Sequence, residues 1–375
     1  MVPRDPGHPS FHWEQALKRY DIVILGASYG SLLATKLLMA GHNVTLVCTA
    51  PTAELIRREG TRVRFPVKGR AELVEVDSRA LPGRLRAITP YEVEPWRFHL
   101  AVLAMQEPQY AEPEVRELMY RLGRARVPSL AIMNMPPLPY LRRIPGLRAE
   151  LLESCFRDAS VWKTFDPDLV TLASPDPQAF RPQGEPKNIL QVGLPTNFKA
   201  ARFGVAEPTE MLRQLAGDIE RARLPGAGEP MELPVKLKLH DSLFVPLAKW
   251  PMLLTGNYRC VRATEMIPIE QAVHGDLQRS QAIYEWVVDL CVRLGADRAD
   301  LVPFDKYAQA AASLKKPSSA ARALFGGSTA IERVDMVVQR IARQLDLSSD
   351  SVNETVALVD ARLAGNNVTD ERKAA

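Results

Sequence analysis

Hydrophobic residues recur along this chain with two periods, which predict alternating strands and helices. Residues 21–26 read DIVILG, a β-branched apolar run closed by a glycine, which is typical of a buried strand. Residues 43–47, NVTLV, have the same character. Between them four leucines share one helical face: Leu32, Leu33, Leu37 and Leu38. A strand, a helix and a strand within about thirty residues predict a right-handed βαβ unit with parallel strands.

The same alternation continues through the first half of the chain and then changes. Further strands are predicted at residues 98–105, 128–135, 168–174 and 188–196, with a helix at 112–125. The last of these strands would complete the same sheet. From about Met211 the pattern becomes helical, and helices are predicted at residues 210–223, 234–255, 277–295, 305–324 and 329–363.

This change of period predicts an α/β fold with two domains. A Rossmann-like parallel sheet domain is expected at the N-terminal end, followed by an all-helical C-terminal domain with the ligand cleft between them. The predicted boundaries are an N-terminal extension at 1–20, a dinucleotide-binding domain at 21–205, a connecting helix and linker at 206–232, a helical substrate domain at 233–365 and a disordered tail at 366–375. The linker includes PGAGEP at residues 225–230.

Composition and charge argue against several classes of binding partner. The net charge is +4 over 375 residues, and the basic residues are interspersed with acidic ones, so neither nucleic acid nor a membrane is an expected partner. Four cysteines are scattered without a CxxC pair, which predicts neither a metal site nor a disulfide framework. With no apolar signal-peptide core in the first twenty residues, a reducing cytoplasm is the expected location.

The turn after the first strand resembles a shortened phosphate-binding turn. Gly26 fits the first glycine of the Gly-x-Gly-x-x-Gly pattern and Gly30 the third, with one residue fewer between them. Ala27 or Ser28 takes the place of the middle glycine, and the Ser28 hydroxyl is a candidate phosphate donor. Tyr29 completes the predicted cofactor-binding turn. The alternative is an ordinary strand-to-helix turn, which also favours small residues.

The residue that ends the second strand usually decides between the two nicotinamide cofactors. An acid there binds the ribose of NAD, whereas a basic residue accepts the 2′-phosphate of NADP. This chain has Cys48 and Thr49, which are neither. Arg57 and Arg58 follow on the next helix, although a solvated surface is the alternative explanation for both. NADP is therefore the predicted cofactor, with NAD as the alternative, and Thr49 is a candidate contact.

Several segments taken in order resemble the ketopantoate reductase family. These are AGHNVTLV at 40–47, ELIRREGTRVR at 54–64, LAIMNM at 130–135, KLHDSLFVPL at 238–247 and KKPSSAARALFGGSTAIE at 315–332. The similarity extends over most of residues 21–363. It implies a nicotinamide-dependent oxidoreductase whose helical domain is like the C-terminal domain of 6-phosphogluconate dehydrogenase.

The resemblance also implies site residues. Lys238 matches the family's catalytic lysine, the proton donor to the substrate ketone, with Lys236 as a rival. Asn134 matches the asparagine at the nicotinamide and substrate, and Ser242 stands four residues after Lys238, where the family has asparagine. Ser318 matches a substrate-binding serine, with helix capping as its alternative role.

Three departures from the family pattern are visible. Ala330 stands where the family has a functional glutamate, and Glu332 would face another part of a helix, so it is not a simple substitute. Gln106 stands where a lysine is expected near the cofactor. Prolines follow the Asn134–Met135 pair where the family has the flexible Asn-Gly segment.

These observations predict an NAD(P)H-dependent reductase of a 2-keto acid-like carbonyl compound other than ketopantoate, with a lysine as general acid. The alternatives are a catalytically silent relative that binds a dinucleotide or metabolite, and a reductase of imines of the opine type. The predicted partners are a small-molecule substrate and, as an assembly, a homodimer.

Overall fold

A computed structural model describes residues 18–225 and 230–374 of the chain. Its centre is an eight-stranded sheet, the central sheet, and a four-stranded sheet, the small sheet, lies beside it. Most of the predicted N-terminal extension and most of the PGAGEP linker lie outside the described residues. Among the described residues, no helix is long and apolar enough to span a membrane.

Twelve strands and twelve helices make up the regular structure of these two ranges. The strands are β1 (Asp21–Leu25), β2 (Asn43–Val47), β3 (Arg62–Phe65), β4 (Val74–Asp77), β5 (Leu85–Ile88), β6 (Leu100–Leu103), β7 (Ser129–Ile132), β8 (Val170–Ser174), β9 (Gln178–Phe180), β10 (Ile189–Leu194), β11 (Phe198–Ala201) and β12 (Leu237–His240). The helices are α1 (Gly30–Met39), α2 (Ala50–Glu59), α3 (Pro113–Arg124), α4 (Leu138–Leu141), α5 (Ala206–Arg221), α6 (Trp250–Met252), α7 (Ile269–His274), α8 (Leu277–Arg293), α9 (Phe304–Ala311), α10 (Ser319–Phe325), α11 (Val334–Gln344) and α12 (Asp350–Ala374).

The parallel core of the central sheet confirms most of the predicted strands. Its strand order is β12-β11-β8-β7-β6-β1-β2-β5, and the six strands from β8 to β5 run parallel. The prediction for residues 188–196 was wrong in one respect: β10 pairs with β3 and β9 in the small sheet. The central sheet is completed by β11, which runs antiparallel to β8, and by β12. The sheet is therefore mixed and not fully parallel.

Side chains of the central strands alternate between two apolar cores. Ile22 and Ile24 of β1 face a core that includes α1 and α5, whereas Val23 and Leu25 face a core that continues into the helical domain. This two-sided burial is why the strands read as unbroken apolar runs in the sequence. Because the second core is continuous, the helical domain packs directly on the sheet.

The helical half departs from the prediction at four places. Residues 234–255 form no single helix, because they contain β12 and then short turns around α6. The central sheet thus takes its edge strand from beyond the predicted boundary at 233. Two other predicted helices are each divided, into α9 and α10 and into α11 and α12. The tail from residue 366, predicted to be disordered, continues α12 to Ala374.

Close packing of α3 gives a test of this arrangement. A Cβ added at Gly123 would lie 2.2 Å from Thr164 Oγ1, so we expect Gly123→Ala to lower the free energy of unfolding by about 1–3 kcal/mol through overpacking. Gly365 in α12 has no atom within 4 Å of an added Cβ, and Gly365→Ala should be neutral or raise stability by up to about 1 kcal/mol. Urea unfolding of both variants measures the difference, and equal effects would contradict the packing described.

Candidate active site

The strand-to-helix turn at Gly26 has the backbone geometry of an anion site. Gly26 follows β1 with a φ of +104°, and a Cβ there would meet Ala104 O at 2.7 Å. At Gly30, the first residue of α1, a Cβ would meet Ile24 Cγ2 at 2.7 Å. Both positions therefore require glycine, one for its backbone angle and both for space. The shortened turn anchored by these two glycines is what the sequence predicts.

Three main-chain amides are available in this turn. Within the described ranges, the N–H groups of Ala27, Ser28 and Tyr29 donate to no protein acceptor. They precede a buried helix of ten residues, whose N-terminal end favours a negative charge. The turn therefore fits the pyrophosphate of a dinucleotide. Which nicotinamide cofactor it would hold is decided elsewhere, because these amides do not contact the ribose that distinguishes NAD from NADP.

Two further predicted cofactor contacts lie at the same edge of the sheet. Thr49 follows β2 and precedes α2, and its hydroxyl donates to Thr52 Oγ1 at 3.1 Å. Gln106 follows β6 with an exposed side chain, and its main-chain N–H donates to Gln109 Oε1 at 3.1 Å. The carboxyl ends of β1, β2 and β6 bring all of these residues to one edge, where ligands of open parallel sheets bind.

A short segment after β8, residues 175–177, connects this turn with a lysine that sequence reasoning missed. The Tyr29 hydroxyl donates to Pro177 O at 2.6 Å, and the Tyr29 ring packs on Phe198 with centroids 6.0 Å apart. At the other end of the segment, Lys249 Nζ donates to Pro175 O at 2.7 Å and lies 3.7 Å from an Asp176 carboxylate oxygen. We call residues 175–177 the strap.

Lys249 has the environment expected of an acid–base lysine. It lies between buried Ala248 and Trp250, and 26% of its side chain is exposed. Burial lowers its pKa, while the negative charges of Asp176 and Glu332 oppose that shift. In sequence Lys249 stands only eleven positions beyond Lys238. The signal that distinguishes it is a lysine surrounded by apolar residues in VPLAKWPM, at residues 245–252.

Asn134 and Glu332 form the opposite side of the candidate site. Asn134 follows β7, and its Nδ2 donates to Glu332 Oε2 at 3.1 Å. In the described part of the chain Asn134 Oδ1 and Glu332 Oε1 are buried without a hydrogen-bond partner. Buried polar atoms are rarely left unpaired, so these two oxygens favour a ligand-binding site. The Tyr258 hydroxyl holds the main chain here by donating to Glu332 O at 2.5 Å.

The carboxylate of Glu332 corrects an expectation drawn from the family signature. Residues 328–333 are not helical, so the argument that Glu332 would face another part of a helix is wrong. Ala330 has no polar side chain, but Glu332 brings a carboxylate to Asn134 from this non-helical segment. Burial raises the pKa of Glu332, and its hydrogen bond with Asn134 opposes that shift.

A second buried carboxylate, Glu107, lies beside Glu332. Its Oε1 accepts a hydrogen bond from Arg157 N at 3.0 Å, and only 2% of the residue is exposed. Burial raises the pKa of Glu107 to about 7, and the charge of Glu332 adds to the shift. Around neutral pH the Glu107 carboxyl is thus close to half protonated.

The structure separates the other three predicted residues from this cluster. Lys238 lies on β12, not on a helix, and is 45% exposed with its Nζ 2.6 Å from Glu220 Oε2 on α5. Within the described ranges Lys238 makes no hydrogen bond to Asn134, Glu332 or the strap. Its rival Lys236 is also paired with Glu220. Of the predicted substrate residues, Asn134 alone is in the cluster.

Ser242 and Ser318 have local structural partners. The Ser242 hydroxyl accepts from Phe244 N at 3.1 Å in the loop after β12. The Ser318 hydroxyl accepts from Ala321 N at 3.1 Å as the N-cap of α10, and donates to Asn257 O at 2.6 Å. Helix capping, the alternative role considered for Ser318, is therefore what the geometry shows.

An open sheet with a glycine turn and a packed helical domain defines a Rossmann-like α/β class of fold. No family model matches this sequence, and no curated protein matches it significantly. Solved structures do match. A 2-dehydropantoate 2-reductase from Methylococcus capsulatus has a TM-score of 0.64 at 14% identity, with 92% of this chain and 97% of that chain covered.

Two further solved structures show the same likeness. A D-mandelate dehydrogenase with NADH and anilino(oxo)acetate has a TM-score of 0.62 at 14% identity, over 92% of this chain and 99% of that one. A dimeric ketopantoate reductase from Staphylococcus aureus has a TM-score of 0.56 at 10% identity, with coverage of 92% and 99%. At these identities the comparison establishes the fold: this chain has the ketopantoate reductase fold, as the resemblance in sequence predicts.

The buried carboxyl of Glu107 predicts a pH-dependent stability. Its pKa is 4.5 in an unfolded chain and about 7 here, so the folded state binds more protons between these values and stability falls as pH rises through them. At pH 8 we expect Glu107→Gln to be more stable than the wild type, by at most about 3 kcal/mol for a shift of this size. Below pH 4.5 this advantage should be absent.

Urea unfolding at pH 4.5 and pH 8 measures the effect. The exposed Glu150, changed to Gln, is the matched control and should show no such pH dependence. A Glu107→Gln variant that is less stable than the wild type at both pH values would contradict a destabilising buried charge.

Proposed function

We propose that this protein is an NAD(P)H-dependent reductase of a 2-keto acid-like carbonyl compound, with Lys249 as its general acid. The observation that carries the proposal is the partly buried ammonium of Lys249. It donates a hydrogen bond to the strap, which also accepts one from Tyr29 of the glycine turn. The fold, which it shares with reductases of keto compounds, supports the same reaction class.

In this proposal the glycine turn binds the cofactor, and Lys249 supplies the proton. The free amides of residues 27–29 would hold the pyrophosphate, and the bound cofactor would supply a hydride to the substrate carbonyl carbon. Lys249 then donates a proton to the carbonyl oxygen as negative charge develops there. Asp176 and Pro175 O fix the position of the Lys249 ammonium before it donates this proton.

Asn134 and Glu332 orient the substrate in this proposal. Asn134 Oδ1 and Glu332 Oε1, which are buried without a hydrogen-bond partner within the described residues, accept hydrogen bonds from substrate donors. The main-chain amides of Glu107 and Met135 also face the Glu332 carboxyl group. The charge of Glu332 also opposes the loss of the Lys249 proton. Because Ala330 lacks the carboxylate of the family and Glu332 supplies one from another position, we infer that the preferred substrate is not ketopantoate.

The crowding of carboxylates favours a second candidate substrate class. Asp176 and Glu332 are two acidic side chains near Lys249, and Glu107 lies beside Glu332. This arrangement disfavours a strongly anionic substrate and favours one with a basic nitrogen. Reduction of an imine, as in opine formation, is the reaction that fits. Oxidation of NADPH by a panel of 2-keto acids with and without added amines separates the two, and a complete absence of turnover would favour a silent binding protein.

Lys249 and Lys238 make a matched pair for testing the acid. We expect Lys249→Met to lower kcat by about 10²–10⁴-fold, the usual contribution of a positioned general acid, and Lys238→Met to leave it within twofold. In the wild type, kcat should fall as pH rises through the lowered pKa of Lys249. A pH–rate profile and steady-state kinetics of both variants provide the measurement. Full activity in Lys249→Met, or a large loss only in Lys238→Met, would contradict the assignment.

We also propose NADP as the preferred cofactor, on the basis of charges near the end of β2. Burial raises the pKa of the Cys48 thiol to about 11, and the nearby cations Arg181 and Arg57 oppose the shift. Arg181, which follows β9, has no carboxylate within 4.0 Å among the described residues. A basic residue near this strand end is the usual partner of the 2′-phosphate.

Arg181 therefore offers a test of cofactor choice. We expect Arg181→Ala to raise KM for NADPH by about tenfold, equivalent to about 1.4 kcal/mol, and to leave KM for NADH unchanged. Arg58, which is paired with Glu59, is the matched control. An equal change for both cofactors would mean that Arg181 does not recognise the 2′-phosphate. The dimeric neighbour supports a homodimer for this chain too, which light scattering would measure.

A further inference from the structure

A separate cavity lies on the outer side of the helical domain. It has a volume of about 450 Å³ and lies between the turn after Cys260, α7 and the start of α8. Three arginines line it: Arg259, Arg262 and Arg279. We call it the arginine pocket. None of its lining residues belongs to the glycine turn, the strap or the cluster around Lys249.

Arg259 is a buried cation without an acidic partner. Only 6% of the residue is exposed. Its Nη1 donates to Ser280 Oγ at 2.7 Å and to Thr255 O at 3.2 Å. Its Nε and Nη2 have no protein acceptor, and no carboxylate lies within 4.0 Å of it, in the residues that the structure describes. A buried charge is costly unless it is paired, so this guanidinium has unused capacity to bind an anion.

The neighbouring charges do not compensate for Arg259. Burial lowers the pKa of Arg259, and the positive charges of Arg279 and Arg262 lower it further. Asp276 opposes this shift, but its carboxylate already accepts a hydrogen bond from Arg279 N at 2.9 Å as the N-cap of α8. Arg279 is already paired with Glu354 on α12, and Glu265 and Asp276 also line the cavity. Within the described residues, Arg259 and Arg262 are therefore the two guanidinium groups of the pocket that no carboxylate pairs with.

We propose that the arginine pocket binds a small oxyanion, the phosphate or carboxylate group of a metabolite. The planar guanidinium of Arg259 anchors the anion by two parallel hydrogen bonds, and Arg262 closes over it from the exposed side. The site is distinct from the dinucleotide turn, and it does not depend on the proposed reductase activity.

The position of the arginine pocket connects it with the candidate active site. Arg259 follows Tyr258 directly, and the Tyr258 hydroxyl donates to Glu332 O at 2.5 Å and accepts from Val334 N at 3.0 Å. An anion bound by Arg259 would therefore stabilise the segment around Tyr258, which fixes the Glu332 main chain. We expect slower amide exchange in residues 253–262 when the anion is bound.

Calorimetric titration and thermal unfolding with inorganic phosphate test the proposal. Binding to the wild type should saturate at one site and raise Tm relative to chloride at equal ionic strength, both before and after addition of NADPH. We expect Arg262→Glu to weaken phosphate binding more than tenfold, while Arg293→Ala, on an exposed position of α8, leaves it unchanged. Because the Arg262 side chain is partly exposed and forms no ion pair with any described residue, its replacement should not unfold the protein.

A second variant and a second ligand complete the test. Arg259→Lys keeps the charge but loses the planar fork, and it should also weaken phosphate binding about tenfold with the fold intact by circular dichroism. Citrate in place of phosphate identifies the source of the oxyanion, since the natural group should saturate at the lower concentration. Failure of both anions to saturate, or equal phosphate binding by the wild type and Arg262→Glu, would overturn the proposal.

Discussion

The continuous apolar core between the central sheet and the helical domain is the constraint on which the candidate site depends. Val23, Leu25, Ala101 and Leu103 share this core with residues on both sides of Lys249. Because close-packed interiors resist displacement, the lysine and the strand ends hold a fixed relation. Packing thus preorganises the candidate site at this edge of the sheet.

Three ionisable groups are buried or partly buried together on the carboxyl side of the parallel strands. Glu107, Glu332 and Lys249 lose solvation there. Burial raises the pKa of the two acids and lowers the pKa of the lysine, so in each case the neutral form is favoured. Elsewhere the acids and bases are mostly paired at the surface, as Lys238 is with Glu220. This contrast, more than residue type alone, separates candidate catalytic groups from solvated ones. Arg259 is a second place where a charge is buried without a partner, which is why it points to a separate ligand.

The strap explains how a shortened glycine turn is accommodated. Tyr29 occupies a position in a strand-to-helix turn, where small residues are favoured. Its ring packs on Phe198, and its hydroxyl donates a hydrogen bond to Pro177 O. The same segment reaches Lys249 through Pro175. The unusual turn and the lysine are therefore parts of one structural unit, although more than two hundred residues separate them in sequence.

The sequence by itself determined the elements whose periodicity is local and strong. The βαβ unit from Asp21 to Val47, the strands β6, β7 and β8 and the long helix α8 were all predicted, because unbroken apolar runs and helical stripes report burial directly. Gly26 and Gly30 were predicted as well, since a positive φ and a close approach admit no other residue. Asn134 followed from the resemblance of LAIMNM to the ketopantoate reductase family.

Only the tertiary structure decided which distant residues meet. A strand's period does not specify its partner, so β10 was assigned to the wrong sheet and β12 was predicted as a helix. The resemblance implied Lys238 as the acid, and Lys249 was missed. Burial distinguishes the two lysines, and burial is a property of the packed chain. Glu332 became a candidate because its segment is not helical where a helix was assumed. Long-range packing placed it beside Asn134, since no local signal relates residues 198 positions apart.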